Sequence, residues 1–182
     1  MSSDFTEKKI SSRAAYRGRL LSVNEDEVSL PDGGTALREY VLHPGAALIL
    51  PVFDDGAVLL ERQYRYPVGQ HFYELPAGKF EAGEASLVTA QRELLEETGY
   101  VAFEWRELGT VHPCIGYSDE RIDFFLARKL EFKGAKPDDG EFLETLRVPL
   151  AEGIDWIRRG RITDTKTILG LFWAERILKE GW

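Results

Sequence analysis

The chain of 182 residues is 43% hydrophobic and 30% charged, which fits one globular domain with at most a small appended piece. Its net charge of -8 removes the basic excess that broad nucleic-acid binding requires, and its one cysteine, Cys114, excludes an internal disulfide. No apolar run approaches the length of a membrane span and the opening MSSDFTEKKI has no apolar centre, so the expectation is a cytoplasmic protein with neither a membrane nor a nucleic-acid partner.

Residues 1–14 are polar and are expected to be mobile or borrowed by a partner. Three short strands follow, at 16–23, 27–30 and 36–42, with Pro31-Asp32-Gly33-Gly34 as the strongest turn signal. So small an antiparallel sheet needs cover from the main body or from a second subunit. His43-Pro44-Gly45 breaks the pattern, giving an N-terminal β region over 1–44 and a main domain over 45–182. The run 46–53 reads as a strand buried on both faces, Asp54-Asp55-Gly56 as a hairpin turn, and 57–64 as the partner strand. Residues 72–75 give a short strand stopped by Pro76. Residues 85–98 give the clearest helix, with Leu87, Leu94 and Leu95 at helical spacing and Gly99 at the C-cap. Strands at 102–111 and 121–130 flank a loop at 112–120. A polar loop at 133–140, a strand near 145–148 and helices at 150–159 and 165–179 complete the chain. The fold class is α+β: a mixed sheet sandwiched between helices, with a small N-terminal antiparallel sheet.

The informative segment is GKFEAGEASLVTAQRELLEETGY, Gly78–Tyr100. On a helix Glu93 stands four residues from Glu97 and three from Glu96, so the three carboxylates are neighbours. Like charges so placed repel unless something positive sits among them, and a hard divalent cation held by carboxylate oxygens is one answer. The backbone of Ala77, beside the tight turn bracketed by Gly78 and Gly83, is placed to add a carbonyl. The fork of Arg92 is suited to hold a carboxylate, with Glu84 the best candidate. An isolated acidic helix face is ordinarily solvated surface. The whole spacing from Gly78 to Gly99 is much harder to obtain by chance.

Gly78, five residues, Glu84, seven residues, then Arg92-Glu93-Leu94-Leu95-Glu96-Glu97-Thr98-Gly99-Tyr100 resembles the Nudix box, G-x5-E-x7-R-E-U-x-E-E-x-G-U, departing only in the aromatic Tyr100. Upstream, Glu74-Leu75-Pro76-Ala77-Gly78-Lys79 and Gln63-Tyr64-Arg65 are similar to the ELPAGK and QYR segments of ADP-ribose pyrophosphatases and their nucleotide-sugar relatives. Pro113 falls near the proline that marks the ADP-ribose enzymes, and Ser118-Asp119-Glu120-Arg121 resembles the segment that follows it.

The resemblance implies a Nudix fold and attack of water on one phosphorus of a diphosphate, chemistry that needs charge neutralisation and positioning. It implies Mg2+, with Mn2+ able to substitute, held by Glu93 and Glu97, with the carbonyl of Ala77 and Glu96 in support. It places Arg92 in the catalytic set, Arg65 on the substrate diphosphate and Glu120 near the terminal ribose. The general base comes from a late loop, with Glu141 and Glu144 as the two candidates. It also implies a homodimer that exchanges the N-terminal region. The substrate so implied is ADP-ribose, cleaved to AMP and ribose 5-phosphate. GDP-mannose or another nucleotide sugar is the alternative, and a non-catalytic nucleotide-binding module is the rival from another class.

Overall fold

A computed structural model describes residues 4–134, 140 and 142–181. The chain divides into two compact units. The smaller runs to Pro44 and includes His112–Arg121; the larger holds Gly45–Val111 and the chain from Ile122 onward.

In the smaller unit, β1 (Lys8–Arg17), β2 (Ser22–Ser29) and β3 (Thr35–Leu42) form one antiparallel sheet in the order β1-β2-β3. The reading of 1–14 as mobile is corrected here, because Lys8 to Ala14 pair along β2. The reading of a first strand over 16–23 is corrected too. Gly18 N–H donates to Leu21 O at 2.8 Å, which turns the chain there, and 22–29 is one continuous strand. Polarity misled in this stretch: β1 is exposed along its whole length, so no buried face leaves a hydrophobic trace. The loop 112–121 docks on β3. Val41 N–H donates to Tyr117 O at 2.8 Å, and His43 N–H donates to the Asp119 carboxylate at 2.8 Å.

The larger unit is built on β4 (Ala46–Pro51). Its six residues are all buried, as expected of a strand covered on both faces. It pairs in parallel with β9 (Ile122–Phe132) and antiparallel with β7 (Ala77–Lys79). β8 (Tyr100–Val111) closes a four-stranded sheet in the order β7-β4-β9-β8. One face, with Ala47, Ile49, Phe125 and Ala127, packs on Ala90 and Leu94 of α1 (Ser86–Thr98). The other, with Leu48, Leu50, Phe124 and Leu126, joins a core that includes Trp156 of α2 (Leu150–Arg158) and Leu171 of α3 (Thr165–Glu180). The mixed sheet therefore lies between helices.

The turn at Asp54-Asp55-Gly56 forms, with Gly56 N–H on Phe53 O at 2.9 Å, but its strands separate after a single bridge, Val52 to Val58. β5 (Ala57–Arg65) instead pairs with β6 (Gln70–Glu74) and β10 (Leu143–Pro149) in a second sheet of order β10-β5-β6. A hairpin sequence specifies the reversal and leaves open how far the two strands stay together.

Candidate active site

Helix α1 decides which glutamates face the protein. Its inward positions are Ala90, Leu94 and Glu97, spaced by four and three residues, so the face that docks on the sheet carries a carboxylate. Leu95, Leu87 and Val88 are exposed, so of the three leucines at helical spacing only Leu94 anchors the helix. Gly99 ends it in the left-handed conformation at φ 75°, where a side chain would be strained. Only 5% of Glu97 is exposed, and its Oε2 accepts the Ala77 N–H at 3.2 Å. An isolated buried carboxylate is costly, so this one requires donors or a cation around it.

Glu93 reaches the same short strand. A Cβ on Gly78 would lie 1.8 Å from Glu93 Oε1, so only glycine leaves room for this carboxylate against β7. Arg92 ties the helix to the loop before it. Its Nε and Nη2 hold the Glu84 carboxylate at 3.1 and 3.0 Å, and its Nη1 donates to Glu93 Oε1 at 2.8 Å and Glu96 Oε2 at 3.0 Å. Thr89 Oγ1 adds a third donor to Glu84 at 2.7 Å. The bonds from Arg92 and then Thr89 hold the Glu84 carboxyl down to about 2, and the glutamates hold Arg92 charged, Glu84 most of all. The positive group among the carboxylates is thus the guanidinium. Among the described residues no three acidic or histidine side chains gather in an arrangement that could hold a metal ion.

Beside Glu97 lies a network that the sequence did not announce. Arg65, at the end of β5, grips the Glu74 carboxylate of β6 with Nε at 2.7 Å and Nη2 at 2.9 Å. Glu74 is 4% exposed, and its Oε2 also accepts from Lys166 Nζ. Lys166 in turn donates to Asp164 Oδ2 at 2.9 Å, and that same oxygen caps α3 through Thr167 N–H at 3.0 Å. Burial raises the Glu74 carboxyl, yet the bonds from Arg65 and the charge of Lys166 outweigh it and leave it below the usual range. Arg65 is held charged chiefly by Glu74, with help from the charges of Glu97 and Asp164. Arg65, Phe72, Glu74, Asp164, Thr165 and Lys166 line one cleft of about 350 Å3.

Of the residues singled out in the sequence, Ala77, Arg92, Glu93, Glu96, Glu97 and Arg65 come together in the larger unit. Glu144 does not join them. It sits opposite Arg62 in register, one position out of phase with the strand face carrying Glu61 and Arg65. It is 65% exposed and 3.7 Å from the Arg62 guanidinium. Glu141 lies outside the described residues. Glu120 belongs to the smaller unit, where its carboxylate is 3.7 Å from His43 Nδ1. Cys114 is only partly buried. Glu74, Lys166 and Asp164 were missed. Glu74 opens the ELPAGK segment and carried that much signal. Lys166 lies 92 residues from its partner, and only the docking of α3 brings the two together.

Comparison with known proteins gives the family and the fold. Residues 42–167 match the NUDIX domain model, and residues 7–41 match the model of the nucleoside diphosphate sugar hydrolase N-terminal domain. The chain is 37% identical over 169 residues to a methanol dehydrogenase activator of Bacillus methanolicus, covering 92% of this chain and 91% of the relative. It is 35% identical over 177 residues to an ADP-ribose pyrophosphatase of Bacillus subtilis (strain 168), covering 96% and 95%. The fold superposes on the crystal structure of an ADP compounds hydrolase with a TM-score of 0.88 at 23% identity, covering 99% of this chain and 98% of that one.

Proposed function

The chain belongs to the Nudix family and is a Nudix hydrolase, and from that premise we propose that it cleaves the diphosphate of ADP-ribose to AMP and ribose 5-phosphate. The observation that carries the reading is the convergence on β7 of two carboxylates, Glu97 through the Ala77 N–H and Glu93 against Gly78, next to a half-exposed arginine, Arg65. Hard oxygen donors of this kind fit Mg2+, with Mn2+ as a substitute. Glu93 and Glu97 are the chief ligands in this proposal, with the Ala77 carbonyl and Glu96 in support. These carboxylates would have to be drawn together by the ion itself, since Arg92 holds Glu93 and Glu96 and no three acidic side chains gather as a metal site among the described residues. The glycine cradle at Gly78 favours it, because it reserves space for a carboxylate where any side chain would fill it. When bound, such an ion neutralises phosphate charge and makes water a better nucleophile.

The remaining work falls to the chain itself. Arg65 orients one phosphate of the diphosphate. Arg92 keeps the glutamates arranged while Glu84 holds its guanidinium in place. Of the two candidates for taking the proton from the attacking water, the proposal keeps Glu141, because Glu144 lies on the opposite strand face from Arg65. The match of residues 7–41 to a nucleoside diphosphate sugar hydrolase region favours one second reading, a GDP-mannose or other nucleotide-sugar pyrophosphatase. Against a non-catalytic binding module stands the presence of Glu93, Glu96 and Glu97 together. The N-terminal β region, 1–44, exposes apolar side chains that a second copy would cover, and we place the protein in the cytoplasm as a homodimer.

The deciding assay incubates the protein with ADP-ribose and with GDP-mannose, each with magnesium and with chelator, and identifies the products. Magnesium-dependent release of AMP and ribose 5-phosphate is expected. Turnover of GDP-mannose alone would favour the second reading, and binding without turnover of either would overturn both.

A further inference from the structure

Lys166 does not occur in the motif and has no place in the chemistry above, yet it is a largely buried cation. Its side chain is 18% exposed and sits between two carboxylates, Glu74 and Asp164. Its position is rigid for two reasons. Lys166 lies in the first turn of a 16-residue helix capped by Asp164. The next residue, Thr167, accepts the Leu75 N–H with its Oγ1 at 2.8 Å, tying that turn to the end of β6.

The charge balance gives this arrangement a consequence. A guanidinium and a carboxylate in a one-to-one fork cancel each other, and such a pair has little positive potential left for a phosphate. Glu74 is not in a one-to-one pair. Its Oε2 receives both Arg65 Nη2 and Lys166, so the carboxylate is shared by two cations. Asp164 is engaged by the cap of α3, accepting from the Thr167 N–H and hydroxyl, and it and Glu97 add negative charge near Arg65. Arg65 meanwhile spends Nε and Nη2 on Glu74, remains 45% exposed, and its Nη1 makes no hydrogen bond among the described residues.

We propose that Lys166 is a positioning residue for the hydrolysis, acting through Glu74: by sharing that carboxylate it offsets part of the negative charge around Arg65 and leaves Nη1 available to a substrate phosphate. The inference rests on the reading of this patch as a diphosphate site. It adds that the N-terminal turn of α3, far outside the box, sets the affinity for that group.

K166Q keeps a hydrogen-bond donor toward Glu74 and drops the charge, whereas K166R restores a cation. The expected result for K166Q is a KM for ADP-ribose raised about tenfold with kcat within about twofold, recovered toward wild type in K166R. The double variant K166Q/E74Q is expected to bind little worse than E74Q alone, because both changes act on one path. An unchanged KM in K166Q, or additive losses in the double variant, would overturn the proposal. Calorimetric titration with ADP in magnesium buffer separates this outcome from the choice of substrate. If the wild type fails on ADP-ribose, the substrate reading falls. A tenfold weaker ADP affinity in K166Q then still supports the role of Lys166, and equal affinities overturn it. Thermal melts of K166Q and K166R set aside variants that have lost the fold.

Discussion

Glu97 is a carboxyl group at a depth where ionisable side chains are normally excluded, and this marks it more clearly than its place in a run of glutamates. Glu97→Gln keeps the shape and a hydrogen-bonding group near Ala77 while removing the charge. It is expected to lower ADP-ribose turnover by a factor on the order of 10² or more, with an unchanged circular dichroism spectrum. A variant retaining near-normal turnover would take Glu97 out of the chemistry. Glu84 has a different role. Its folded carboxyl titrates at about 2 against 4.5 in a free side chain, so the unfolded chain binds its proton first on acidification. The stability it contributes is complete above pH 4.5 and is lost as the pH falls toward about 2. Melting curves should show the wild type losing Tm across that window. Glu84→Gln should start lower at neutral pH and lose less. Parallel curves would mean that the Arg92–Glu84 bonds contribute nothing net.

Among the elements, α3 is the one whose sequence says least about its task. It reads as an ordinary amphipathic helix, yet it supplies Lys166 and Thr167 to the cleft and packs closely on the strand that leads into β7. Gly170 makes that approach possible. A Cβ there would lie 2.4 Å from Leu75 Cδ1, and Leu75 is itself fully buried. Gly170→Ala is expected to destabilise by about 1–3 kcal/mol through overpacking, despite alanine's better helix propensity. Chemical denaturation would register the loss, and a gain in stability would show that Leu75 has room to move. Because Leu75 follows Glu74, the same substitution should weaken ADP-ribose binding as well. Helix α1 shows the opposite case. Its period was readable from 85 to 98, but which leucine anchors it was not. Leu94 and Leu95 are adjacent and equally apolar, and only the direction of the sheet selects Leu94.

At the scale of the molecule, the smaller unit displays Ile10, Tyr16 and Leu37 on its three-stranded sheet and Phe5 just before it, each more than half exposed. The proposed dimer would cover these apolar side chains. Light scattering at micromolar concentration is expected to return twice the chain mass of 20.7 kDa. Replacing Ile10, Tyr16 and Leu37 together by polar residues should shift it toward one chain, and a wild-type monomer would remove the dimer from the account.

The sequence by itself determined the α+β class, a buried strand read at 46–53, a helix read at 85–98 with its glycine stop, and the pairing of Arg92 with Glu84. These depend on periodicity, on backbone conformation or on residues a few positions apart, and such information is local. It could not place the polar strand β1, the division of β4 and β5 between two sheets, or the phase that carries Glu144 away from Arg65. Nor could it join Lys166 to Glu74. Each of these depends on how surfaces distant in the chain meet, and burial energy, which is not directional, is satisfied by many such meetings until the whole core selects one.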